Sequence, residues 1–324
     1  MNVSTTPAEF DNASTCLRKS LQLEKLFPLY LSHIQVACFL IFVILGIPLN
    51  CYIIYLVTNL PRFHTEFAFS LQVVVVDILL ALCLPFAIGN LMGGSPLLVP
   101  AECNVMGFIK LFLRLVRYTM FCIISLDRFS LVFFPFSYPP YRRRTAIFLC
   151  IIAWTSSALI ACLPLPVDCY GYLPTFGFCM LMTYCSTTCR GLTIGIECLM
   201  IVLGGVVPGV LFSLVFCVAM RKERSNSSPT PQLQSETRSR LQATYILVLL
   251  HLIMSSVPFV ILVLWESLDY QGQEEDAYEY WIFLGLSMTT LEAVVVVSDP
   301  IVMMRNGQLQ PALKRCCWVE IWDD

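Results

Sequence analysis

Three closely spaced cations in an apolar stretch are the residues best placed to do chemistry. Lys110, Arg114 and Arg117 follow spacings of four and three between Val105 and Phe134, which sets them on one face of a helix. Four acids, Asp77, Glu197, Glu292 and Asp299, fall in or beside other apolar stretches. Charges in such surroundings cost about 2.5–3.5 kcal/mol each on insertion scales, so they turn inward and take partners. Two kinds of chemistry follow: internal ion pairing, and recognition of an acidic group by the guanidinium fork. The three histidines, His33, His64 and His251, are scattered along the chain. No catalytic residue, metal ligand or cofactor is therefore assigned, no nucleic-acid partner is expected, and the chain reads as a non-enzyme.

The elements that position these charges must be membrane helices. Of 324 residues, 57% are hydrophobic and 13% charged, against about 25% charged in an ordinary soluble domain. Apolar runs long enough to cross a bilayer core, which takes roughly 20 helical residues, recur at 32–58, 67–92, 105–133, 145–166, 193–220, 241–267 and 280–304. The predicted fold is all-α, a bundle of seven transmembrane helices at 32–304, with an outer tail at 1–31 and an inner tail at 305–324 that carries a short amphipathic helix. The third run is the least clean, because Lys110, Arg114 and Arg117 interrupt it.

Orientation follows from the bias of Lys and Arg toward cytoplasmic loops. With the N-terminus outside and the C-terminus inside, Arg62, Arg142, Arg143, Arg144, Arg221, Lys222, Arg224, Arg238, Arg240, Arg305, Lys314 and Arg315 lie in the cytoplasm. The outer face holds Arg18, Lys19, Lys25 and Arg190, and a last loop made acidic by Glu274, Glu275, Asp276 and Glu279. Asn2 and Asn12 begin Asn-x-Ser sequons in the outer tail, where glycosylation is expected. The first thirty residues hold no continuous apolar core, so the first span is expected to act as the targeting signal. Cys16, Cys103, Cys169, Cys179, Cys185 and Cys189 form an even set on the oxidising side, able to close disulfides. Cys316 and Cys317, beside Lys314 and Arg315 on the inner side, suit palmitoylation at the lipid surface.

Landmarks within the spans carry a resemblance. They are Asn50 in Gly46-Ile47-Pro48-Leu49-Asn50, Asp77, Asp127-Arg128-Phe129, Trp154, Pro208, Pro258 and Asp299-Pro300. Cys103 precedes Arg128 by 25 residues and Pro135 follows it by seven. In order and depth these resemble the rhodopsin-like (class A) G-protein-coupled receptors over about residues 32–317. The resemblance implies a multi-pass plasma-membrane receptor that passes the binding of an extracellular ligand to a heterotrimeric G protein, with Asp127 and Arg128 at the coupling end and lipids as its surroundings. It also implies a disulfide from Cys103 to the second outer loop. Cys179 is favoured over Cys169, Cys185 and Cys189, because Pro174 and Gly177 can turn a hairpin just before it.

The departures are as specific. The sixth-span Cys-Trp-x-Pro of the family reads Ser255-Ser256-Val257-Pro258, the seventh-span Asn-Pro-x-x-Tyr reads Asp299-Pro300-Ile301-Val302-Met303, and Phe216 stands where the family often has Tyr. The usual activation relay is therefore altered. A non-signalling scavenger or decoy receptor of the same fold is the alternative.

By helical rise Arg117 lies about 16 Å above Arg128, level with Asp77. The resemblance places sodium at this layer, between the second-span Asp and a small hydroxyl residue whose position Arg117 occupies. Asp77, Arg117 and Asp299 are thus expected to form a buried ion cluster in place of the cation. Lys110, Arg114, Glu292 and Glu197 line the level at which the family binds ligands. Either Glu292 neutralises one of the two cations, or at least one of them takes an acidic ligand group. The acidic last outer loop favours basic peptides instead, so the ligand class stays open at this point.

Overall fold

The computed structural model describes residues 29–58, 65–93, 100–133, 142–167, 169–173, 178–181 and 187–225. Within them the chain forms α1 (Leu29–Thr58), α2 (Thr65–Gly93), α3 (Pro100–Phe133) and α4 (Arg142–Cys162), the helices of the first four expected spans. The fifth span is α5 (Thr187–Ile201), a π-helical turn at Val202–Val206, and α6 (Val207–Ser225). The sixth and seventh expected spans lie outside the described residues.

Polarity is arranged for lipid. Asn50, Asp77, Arg117, Ser125, Asp127, Ser157 and Thr193 are buried, while Ile44, Leu82, Phe148, Leu159 and Val210 are more than 40% exposed. In water that arrangement would leave large apolar side chains unburied; in a bilayer they face a solvent as apolar as themselves. Some helix hydroxyls are satisfied within their own backbone: Thr119 donates to the Leu115 carbonyl at 2.8 Å and Ser213 to that of Gly209 at 2.7 Å. Three stretches are long and apolar enough to cross a membrane, Phe39–Thr58, Arg144–Val167 and Thr188–Val218, and Leu71–Phe86 of α2 is a shorter apolar run. α3 is absent from that group among the described residues because Lys110, Arg114 and Arg117 break its hydropathy.

α3 is the hub. On one side Val116 and Met120 pack with Phe69, Val73 and Val76 of α2 and Ala146 and Ala153 of α4. On another, Leu111, Leu115 and Tyr118 meet Ile196 and Met200 of α5. Trp154 of α4 lies edge-on to Phe112 at 5.5 Å and donates its indole N–H to Gln72 Oε1 at 3.0 Å, joining α2, α3 and α4. α1 adds Ile53, Leu56 and Val57 against Val74 of α2.

Two local features adjust the fifth span. Pro208 has no N–H to offer the carbonyl four residues back, and the turn before it widens so that the Val207 N–H bonds Val202 O. Within that turn Gly204 faces the Tyr118 ring so closely that a Cβ would overlap it. Between α4 and α5 runs an antiparallel hairpin, β1 (Tyr170–Leu173) and β2 (Phe178–Leu181), with Tyr170 opposite Leu181 and Tyr172 opposite Cys179. Residues 174–177, which include Pro174 and Gly177, join its strands, the place from which the sequence predicts a turn. A disulfide from Cys169 to Cys189 ties the entry of the hairpin to the first turn of α5.

Candidate functional site

The regular winding of α3 carries Lys110, Arg114 and Arg117 down one face in three successive steps. Arg117, the deepest, has Nε 3.3 Å from Asp77 Oδ1, and the two side chains are 4% and 0% exposed. Its guanidinium carbon also lies 6.0 Å from the centre of the Phe121 ring one turn below, within cation–π range. α2 supplies the acid and α3 both the cation and the aromatic floor, so the charge is enclosed on more than one side.

One turn outward the arrangement loosens. Arg114 Nη1 stands 3.9 Å from Glu197 Oε1, with the side chains 19% and 13% exposed. A charge-assisted hydrogen bond between such groups closes to about 2.7–2.9 Å. At 3.9 Å this contact is coulombic and longer than such a hydrogen bond. Lys110 is half-buried a further turn outward. On the α5 side Thr193 sits four residues before Glu197, on the same helix face, and its Oγ1 is buried with no hydrogen-bond partner. Apolar side chains flank the level: Leu111 and Leu115 beside the cations, Ile196 and Met200 beside Glu197.

The hairpin bounds this region toward the N-terminal end of α3. The Tyr170 ring lies over Gly107, where a Cβ would come within 2.5 Å of Tyr170 Cδ1, and Tyr170 Oη donates to the Ala161 carbonyl at 3.0 Å. Burial, with a smaller contribution from the neighbouring Cys162, pushes the phenol well above its ordinary value. Tyr170 thus stays a neutral donor and fastens the hairpin to α4 as well as to α3.

Among the predicted site residues, the structure brings Arg117 to Asp77 and Arg114 to Glu197. Asp127 is buried near the C-terminal end of α3, next in sequence to Arg128. For Arg128, Cys103 and Cys179 it places the backbone: the first two in α3, the third in β2. Glu292, Asp299, Asn2, Asn12, Cys316 and Cys317 lie outside the described residues. Sequence reasoning offered Glu292 as the acid for one of Lys110 and Arg114 and left Glu197 without a stated partner. It missed Thr193, whose one signal is its spacing of four from Glu197. It also missed the Tyr170–Gly107 contact and the pairing of Cys169 with Cys189, which removes both from the candidates for Cys103 in this structure.

A sequence model of the 7 transmembrane receptor (rhodopsin family) matches residues 49–302, more than half of the chain. No curated protein matches the sequence.

Proposed function

The chain belongs to the rhodopsin family of seven-transmembrane receptors, a multi-pass family of the plasma membrane whose members are receptors and not enzymes, and from that premise we propose that it transmits the binding of an extracellular ligand to a heterotrimeric G protein. The N-terminus lies outside and the C-terminus inside, the sense the Lys and Arg bias requires. Ligand binds between α3 and the fifth span at the level of Lys110, Arg114 and Glu197, with Glu292 of the seventh span. The G protein docks at the opposite end, at Asp127 and Arg128.

The observation that carries the reading is the gradient of closure along α3. A sealed charge pair, 4% and 0% exposed, lies one turn below a loose pair that keeps 19% and 13% exposure. A structural core would close both. A site that must admit a ligand above and stay rigid below closes one.

Three covalent features complete the proposal. Cys103 bonds a cysteine of the second outer loop, as the family resemblance implies, with Cys179 of β2 favoured over Cys185 and with Cys169 and Cys189 already joined. Asn2 and Asn12 carry glycans on the outer tail. Cys316 and Cys317 carry palmitate where the short amphipathic helix meets the inner leaflet.

Expression with a panel of G-protein activation reporters, first without ligand, tests the coupling. At least one reporter rises above that of an Arg128→Ala receptor brought to equal surface density. A silent panel at normal surface expression would leave the decoy receptor as the better account, in keeping with Phe129, Ser256 and Met303 at positions where the family's relay has other residues.

A further inference from the structure

Two consecutive residues at the entry of the hairpin reach three helices. Cys169 is bonded to Cys189 in the first turn of α5, and the two residues are 0% and 1% exposed. Tyr170 is buried in one apolar cluster with Leu111 and Leu115 of α3, Ala161 of α4, and Ile196 and Met200 of α5. Its ring covers Gly107 of α3, and its hydroxyl donates to the Ala161 carbonyl of α4 at 3.0 Å. The path back to α4 is short and bonded as well: a 3₁₀ turn at Leu165–Val167 follows the helix, and the Cys169 N–H donates to the Pro164 carbonyl at 3.2 Å.

We propose that the hairpin is a fixed strap: Cys169 and Tyr170 hold the outer ends of α3, α4 and α5 as one body, and the hairpin does not lift from them as a lid. This goes beyond the receptor reading and does not depend on coupling to a G protein. A tether at one point leaves a pivot, and the disulfide alone would let the hairpin swing about α5. Tyr170 removes that freedom. To swing, the hairpin would have to draw the ring out from among three helices, leaving a void above Gly107 and breaking the bond to the Ala161 carbonyl. The disulfide in turn keeps the residue next to the ring joined to α5, and its enclosed sulfurs offer an attacking thiol no access. Each tie thus closes the route by which the other would open. The effect also reaches inward. Gly107 and Cys189 stand seven and eight residues before Arg114 and Glu197, a descent of about 10–12 Å on each helix by helical rise. Holding α3 and α5 at the strap therefore sets the gap across which Arg114 faces Glu197 at 3.9 Å.

Hydrogen–deuterium exchange of the full-length receptor in lipid nanodiscs, with the disulfides first mapped on non-reduced peptides, tests this. In the unmodified receptor Cys169 is linked to Cys189, and the bonded amides of β1 and β2 exchange as slowly as those of the outer turns of α3 and α5. Replacing both cysteines, Cys169→Ser with Cys189→Ser, raises exchange roughly 10-fold or more in the hairpin and, in step with it, in α5 from Thr187 to Glu197. Tyr170→Ala raises it in the hairpin and around Gly107 with the disulfide intact. Ile53→Ala, in the cluster between α1 and α2, lowers the unfolding temperature without changing exchange at any of these places, which separates release of the strap from a general loss of stability. Fast exchange of the hairpin in the unmodified receptor, or a different partner for Cys169, overturns the proposal, and neither result needs a variant to fold. Unchanged exchange in both strap variants overturns it too. So does a double serine variant whose hairpin loosens while α5 stays protected, since the two are then not one body.

Discussion

Two ion pairs sit one helical turn apart on the same face of α3, and they are built differently. Arg117 and Asp77 are 3.3 Å apart and sealed, with Phe121 beneath the guanidinium; Arg114 and Glu197 are 3.9 Å apart and partly open, with an unpartnered hydroxyl nearby. Burial is the reason the difference matters. A charge fully removed from water depends on its partner, so the deep pair fixes α2 to α3. A charge that keeps some solvent has an alternative, and an exchange of partners costs it less. The lesson is that residue type and spacing alone, Arg114 and Arg117 on one face, do not separate a strut from a binding group; the enclosure does.

The largest expected effect is at the strut. Arg117→Ala strands Asp77 in the interior, a loss of about 3–5 kcal/mol when a buried pair is broken from one side. Surface labelling should show much less folded receptor. Adding Asp77→Asn should recover part of it, because the stranded charge is then neutral. A single mutant that reaches the surface at the normal level would erase the distinction between the two pairs.

Next is the hairpin that bounds the open pair. Gly107→Ala puts a methyl against the Tyr170 ring, and overpacking of this kind costs about 1–3 kcal/mol. Unfolding of the purified receptor should occur several degrees lower. Tyr170→Phe, which removes the hydrogen bond to the Ala161 carbonyl and keeps the ring, should cost less, about 0.5–1.5 kcal/mol. If the order of these two is reversed, the hydroxyl and not the ring contact holds the hairpin. Smaller still is Glu197→Gln in the absence of ligand. At 3.9 Å and partial exposure the pair contributes about 0–1 kcal/mol, so the unfolding temperature should hardly move. A loss as large as that of Arg117→Ala would mean that the open pair is a second strut.

Much of the scaffold is legible in the residues. α1 and α2, at Leu29–Thr58 and Thr65–Gly93, nearly coincide with the runs expected at 32–58 and 67–92, because length and apolarity alone define them. The next three helices begin before the apolar runs expected from 105, 145 and 193. α3 begins at Pro100, a residue suited to the first helical turn, α4 with its arginines and α5 with Thr187, and a hydropathy reading trims such polar or proline-led turns. The antiparallel pairing of β1 and β2 was foreshadowed by Pro174 and Gly177 in the sequence between them. The partner of Cys169 was not, since six cysteines admit many pairings and only the placement of α5 selects Cys189. Pro208 announced a break in the fifth span, but not the wider turn that answers it or the close approach of Gly204 to Tyr118 within that turn. At the site the cations of α3 were readable as one face, whereas the choice of Glu197 for Arg114 follows from how α5 packs.

The smallest expected effect is none at all, and it tests the strut from the other side. In the family that the chain belongs to, the resemblance places a sodium ion beside the second-span Asp, which is Asp77. The carboxylate already faces Arg117 at 3.3 Å, and both are almost fully enclosed. A sodium ion would have to enter beside a fixed positive charge a few ångströms away, and would gain only what remains of a carboxylate that is already neutralised. Ligand binding or basal signalling should therefore be equal in sodium and potassium at matched ionic strength. Any residual salt effect should track ionic strength, as screening of the outer charges requires, and not the identity of the cation. An Arg117→Ser exchange supplies the small hydroxyl the family has there and removes the internal cation. In whatever fraction of that variant folds, sodium selectivity should appear, measured as a shift in unfolding temperature between the two salts. A sodium-specific shift in the unmodified receptor would show that the Asp77 level still admits a cation, and the two pairs would then differ in depth but not in kind.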